Sequence, residues 1–159
     1  MGVSIGAAID YLVAGLVAPL VAVDPAAVVI DGEMVLGQES QSMVYIGKRD
    51  PSVTSAADGM EEILVLGAGR VQEDYEIPCV VWASRPGPAM KPARDAAIAM
   101  FDAVAHFLAS DRTLGGLLLQ GRFAEFSTVS LDQVVAGDAG ALRVVWLSFS
   151  IHVRNHYIP

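Results

Sequence analysis

The chain has very little lysine and almost no cysteine. Lys48 and Lys91 are its only lysines, and its eight arginines are scattered through 159 residues of net charge −8. Affinity for duplex phosphate comes from clustered Lys and Arg, so this balance argues against a duplex-binding protein. A single cysteine, Cys79, excludes an internal disulfide and any cage built from cysteines. It falls within an apolar run, where a small buried side chain is the expected role. No basic residue precedes Lys48, so the apolar N-terminus lacks the positive start of a signal peptide.

Apolar residues are what the chain has in excess. They make up 53% of it at a mean hydropathy of +0.48, and much of the surplus is Ala and Val, which suits tight packing or a large subunit interface. The length fits one domain, 1–159, with a substantial core. Within the near-continuous apolar run Val3–Val23, Asp10 and Pro19 argue against a spanning helix. Ile5, Ile9, Leu12, Leu16 and Leu20 recur at helical steps with Val13 and Val17 beside them. The run therefore reads as a core helix from about Ser4 to Ala18.

Further on, Ala27–Ile30 begins a short strand, and Asp31-Gly32 is a tight-turn pair that suggests a hairpin with Ser42–Gly47. Lys48–Gly59 is polar, unpatterned and the expected mobile loop. An apolar run within Glu61–Gly69 reads as a strand joined to the alternating strand Tyr75–Ala83 through a turn at Arg70–Asp74. Pro78 places that second strand at an edge or bulge. Pro92–Ser110 is the strongest helix, with Ala97, Ile98, Phe101, Val104, Ala105 and Leu108 on one stripe. Leu117-Leu118-Leu119 and Arg122–Val129 are short ambiguous pieces, Leu131–Val135 reads as a strand or a turn of helix, and Gly137–Gly140 is a turn. Ala141–Tyr157 is the longest strand signal. Val145, Leu147, Phe149, Ile151 and Val153 point one way; Trp146, Ser148, Ser150, His152, Arg154 and His156 point the other. The expected fold class is α+β, a single mainly antiparallel sheet packed by two principal helices.

Nothing in this pattern looks catalytic. His152 and His156 share a strand face but lie about 13 Å apart, too far for a common metal ion. His106 reads as a helix-surface residue. The acidic groups Glu61-Glu62 and Glu73-Asp74-Glu76 lack the spacing of a calcium loop and read as solvated faces. Gly67-Ala68-Gly69 is a lone Gly-x-Gly, and Ser127–Ser130 has no nucleophile-elbow glycines. No cofactor or metal site is expected.

Taken in order, these elements run from an apolar N-terminal helix to one long terminal strand. Between them, a long helix ends in Asp111-Arg112-Thr113-Leu114-Gly115-Gly116. In that order, and in the Asp-x-Thr-Leu-Gly-Gly motif, the chain resembles the tail terminator (tail completion) proteins of long-tailed bacteriophages. The resemblance implies a non-enzymatic virion protein, a homohexameric ring capping the head-proximal end of the tail. Its partners would be the major tail tube protein and the head-tail connector or stopper protein. It would assemble in the host cytoplasm, touch no membrane, and let DNA pass without specific binding, which an acidic subunit suits. On this reading the expected interface residues are Lys48, Arg49, Asp50, Trp146, His152 and Arg154. A neighbouring neck or tail-tube component is one alternative, and a small bacterial ligand-binding or enzymatic α+β domain is another. The last should carry a pocket with converging polar groups.

Overall fold

In the computed structural model, residues 4–32, 40–47, 62–66, 70–118 and 124–157 are described. They form two helices on one face of a six-stranded, mostly antiparallel sheet, the α+β class expected from the pattern. The strands are β1 (Val28–Asp31), β2 (Ser42–Ile46), β3 (Glu62–Leu66), β4 (Arg70–Pro86), β5 (Ala124–Ala136) and β6 (Leu142–Tyr157). The helices are α1 (Ser4–Val23) and α2 (Lys91–Ser110). The strand order is β1-β2-β4-β6-β5, and β3 pairs with the far end of β4.

The long antiparallel pair β4–β6 is the spine, in register from Val71↔Tyr157 to Pro86↔Leu142. Period-two alternation sends Tyr75, Ile77, Cys79, Val81 and Ala83 of β4 to the helical side. Val145, Leu147, Phe149, Ile151 and Val153 of β6 join them. All ten are buried there against Leu12, Leu16 and Leu20 of α1 and Met100, Val104 and Leu108 of α2. Phe149 lies at the centre, edge-on to Phe101 at 5.2 Å and Phe126 at 5.5 Å.

Both helices differ in detail from their sequence patterns. α1 continues through Pro19 to Val23 rather than stopping at Ala18. Proline removes one backbone hydrogen bond, but the added turn carries Leu20 into the core, where a fully buried leucine contributes roughly 1.5–3 kcal/mol. Long and apolar enough to cross a membrane, α1 here lays one stripe into the core. In α2 the buried stripe is Ala93, Ala97, Met100, Val104 and Leu108. Ile98, expected on it, is exposed.

Four strand expectations are corrected. β1 and β2 run parallel, so Asp31-Gly32 does not close a hairpin. Gly32 takes a positive φ of 67° and donates its N–H to the Ile46 carbonyl instead. Arg70–Asp74 is strand, not turn: it pairs with β3 from Leu66↔Arg70 to Glu62↔Asp74. β4 is an interior strand, yet Pro78 lies just where β2 gives out, its carbonyl taking a last bond from Gly47 N–H at 2.7 Å. Ala124–Ala136 is no set of fragments but one 13-residue strand, and Arg122 and Phe123 lie outside the described residues. A bulge separates Phe126↔Ile151 from Val129↔Phe149, three steps on β5 against two on β6. The sheet is closed on this side by the turn Asp138–Gly140, as the glycine pattern suggested.

The Asp-x-Thr-Leu-Gly-Gly stretch is a compact turn organised by one carboxylate. Asp111 Oδ1 accepts from the Thr113 N–H and hydroxyl, and Oδ2 from the Gly115 N–H and the Tyr11 hydroxyl. Leu114, Gly115 and Gly116 all take positive φ, at 53°, 71° and 81°. Two glycines are therefore where the backbone needs them. Leu114 accepts the strain while burying its side chain in the core.

Candidate functional site

The sheet face turned away from the helices carries the sequence-predicted interface residues that are described. Along β6 that face presents Trp146, Ser148, Ser150, His152 and Arg154. Along β4 it presents Asp74, Glu76, Pro78, Val80, Trp82 and Ser84. It divides into an apolar half and a charged half.

In the apolar half Trp146 stands directly opposite Trp82 in the β4–β6 register. The two indoles stack with centroids 5.9 Å apart and planes 12° from parallel. They pack over Ile30, Met43, Tyr45 and Val80, with Val28 beside them. This second apolar cluster is absent from the sequence reading, which treated Trp146 as a lone aromatic on a polar face. Its signal lay in Trp82 and in Met43 and Tyr45, which alternate with core positions on short strands. Burial pushes the Tyr45 hydroxyl above the ordinary tyrosine range.

In the charged half, Asp74 joins two of the predicted residues. Its Oδ1 pairs with His152 Nε2 and its Oδ2 accepts from Arg154 Nε at 2.9 Å. Burial pushes the Asp74 carboxyl up, but the bonds from His152 and Arg154 outweigh it and hold the group below its usual range. Glu125 of β5, opposite His152 in register, approaches His152 Nδ1 at 3.9 Å. His152 thus lies between two carboxylates and is partly buried. Lys48, Arg49 and Asp50, the other expected interface residues, and the Lys48–Gly59 loop lie outside the described residues, as does Gly67–Gly69.

The acidic run Glu73-Asp74-Glu76 is not one solvated face. Glu73 alternates to the helical side, where it is 1% exposed and accepts from Asn155 Nδ2 at 3.5 Å. Strand alternation separates it from Asp74 and Glu76, which lie on the outer face. His106 is on the helix surface, as expected. Among the described residues no three His, Cys, Asp or Glu side chains come together for a metal ion. Cys79 is fully buried and its thiol is pushed up to about 12 by that burial, which makes it a packing residue.

A groove of about 280 Å³ runs between the C-terminal half of α2 and the start of β5. Ala105, Leu108, Ala109, Ala124 and Phe126 line it, with Arg112 and Glu125 at its rim. That lining is apolar, and only the one acid and one base face it, so it lacks the converging polar groups of a small-molecule site.

No family model and no curated protein matches the chain. Among solved structures it is similar to a chain of the virion of a native gene transfer agent (GTA) particle. The TM-score is 0.50 and the identity 15%, over 89% of this chain and 93% of that one. At that identity the likeness is one of fold, and it extends over nearly the whole of both chains.

Proposed function

We propose that this chain is a structural virion subunit, a tail terminator that assembles as a ring on the head-proximal end of a phage-like tail. The observation that carries this reading is the near end-to-end fold likeness to a chain of a gene transfer agent virion. The order of elements and the Asp111–Gly116 turn point the same way. The turn anchors the end of α2 to α1. A stacked tryptophan pair beside a charged cluster gives the sheet face the mixed character of a protein-protein interface, with aromatics and arginine as anchors. On this reading Trp146, His152 and Arg154 contact the tube or the connector, and the ring leaves an acidic channel through which DNA slides without being held.

The test is loss of the chain from a particle that encodes it. Particles made without it should carry tails of uncontrolled length that fail to join heads. Antibody labelling of intact particles should mark the head-tail junction. Tails of normal length, joined to heads, would reject the terminator role. Label along the tail shaft would favour a tube component instead.

A further inference from the structure

Among the described residues, the helical layer leaves one edge strand of the sheet largely uncovered. Across the end of the sheet that holds β1, five strands lie side by side, which at about 4.8 Å spacing makes roughly 24 Å. Two helices, each about 10 Å across, cover roughly 20 Å. α1 lies over the β1–β2 side and α2 over β4 and β6, so the uncovered strand is β5. Beyond the bulge its helix-facing side chains are Val129, Leu131, Gln133 and Val135, paired with Phe149, Leu147, Val145 and Arg143. Val129, Leu131 and Val135 are 53%, 39% and 52% exposed on the side that is core along β4 from Tyr75 to Ala83 and along β6 from Val145 to Val153. Ile98 of α2, one turn before the Phe101 that touches Phe126, is exposed as well.

The matching surface is on the opposite flank. α1 turns Tyr11 and Gly15 towards Phe107 of α2. At 3.6 residues per turn, Val17 lies roughly 200° around the helix from Gly15, on the side away from α2. Val17 and Val21 are 48% and 42% exposed, with Ala14 and Ala18 exposed beside them. No charged residue occurs between Asp10 and Asp24. This is a helix with an unpartnered apolar side, at the far edge of the molecule from a sheet shelf that lacks a helix.

We infer that the outer side of α1 of one copy seats on the Val129–Leu131–Val135 shelf of the next. The occupant is a second copy because the shelf is apolar and exposed, and this chain presents a charge-free apolar helix side on its opposite flank. A chain cannot fill its own shelf, since α1 and β5 are at opposite ends of the sheet. The contact is therefore head-to-tail, and repeats into a ring or an open filament. Pairing of two β5 edges is disfavoured by the bulge at Phe126/Val129, which interrupts the ladder such pairing would extend. The inference deepens the ring reading by naming its subunit contact.

The experiment uses full-length chains with Val17→Cys and Leu131→Cys, separately and together, treated with a short bismaleimide at high protein concentration. The native Cys79 is buried and serves as the background control. The double variant should give a ladder of covalent oligomers. Each single variant alone should stay monomeric, and an equimolar mixture of the two should stop at dimers. Cross-linked dimers from Leu131→Cys alone would overturn the inference in favour of β5–β5 pairing, and a double variant that yields no ladder would overturn it outright. A chain with no place in a tail would still cross-link in this pattern. A tail ring built through other surfaces would not, so this inference and the terminator reading fail separately.

Discussion

The Tyr11 hydroxyl donates to Asp111 Oδ2 at 2.7 Å, tying α1 to the turn after α2 across a hundred residues of chain. The same carboxylate holds the turn itself, so one side chain fixes both the shape of the Asp111–Gly116 loop and its seat against α1. Hydrogen bonds to a charged acceptor contribute more than neutral ones. Asp111→Ala should therefore lower unfolding stability by on the order of 2–3 kcal/mol, and Tyr11→Phe by about 1 kcal/mol, in urea denaturation. Equal losses from the two would mean that the turn does not depend on Asp111.

That carboxylate also sets a pH dependence. Bonds from Thr113, then Tyr11 and the Gly115 N–H, hold the Asp111 pKa at about 2, below the ordinary 3.8. A depressed folded-state value contributes stability that is fully present above the unfolded pKa and is lost as pH falls towards 2. The stability gap between the native chain and Asp111→Asn should therefore narrow between about pH 4 and pH 2, and stay constant from pH 5 to 7. A gap that widens on acidification would contradict the geometry.

Gly15 and Gly6 lie on the same helix and should respond oppositely to alanine. A Cβ on Gly15 would stand 2.4 Å from the tip of the Phe107 ring, whereas one on Gly6 meets nothing within 4 Å. Gly15→Ala should cost about 1–3 kcal/mol through forced repacking of the helix pair, despite alanine's better helix propensity. Gly6→Ala should stabilise by up to about 1 kcal/mol. Thermal melts of the two variants decide it, and a stabilised Gly15→Ala would show that α1 and α2 are not closely packed there.

Phe149 and Trp146 occupy opposite sides of one strand. Phe149 is 3% exposed and touches two other rings, so Phe149→Ala should cost roughly 3–5 kcal/mol. Trp146 is half-buried on Trp82, and a double-mutant cycle on that stacked pair should give about 0.5–1.5 kcal/mol of coupling. Trp146→Ala should weaken association with ring or tube partners more than it weakens the monomer. A stability loss matching that of Phe149→Ala, with association unchanged, would make the indole an ordinary packing residue.

What the sequence determined by itself was local and periodic. The alternation Val145–Leu147–Phe149–Ile151–Val153 named the core side of β6 before any partner was known, because strand side chains alternate with period two whatever lies beside them. Leu12, Leu16 and Leu20 of α1, and Ala97, Val104 and Leu108 of α2, did the same for the helices. Long periodic elements carry that information in each residue's own neighbours. β5 was hidden because its bulge shifts the apolar set from Ala124 and Phe126 to Val129, Leu131 and Val135, breaking the period midway. The parallel pairing of β1 with β2, the burial of Glu73 beside Asn155, the Trp82–Trp146 stack and the bare shelf on β5 were decided only in three dimensions. Each depends on which strand lies next to which and on how far two helices reach across five strands. Those are properties of packed elements, and no stretch of sequence contains both members of any of these pairs.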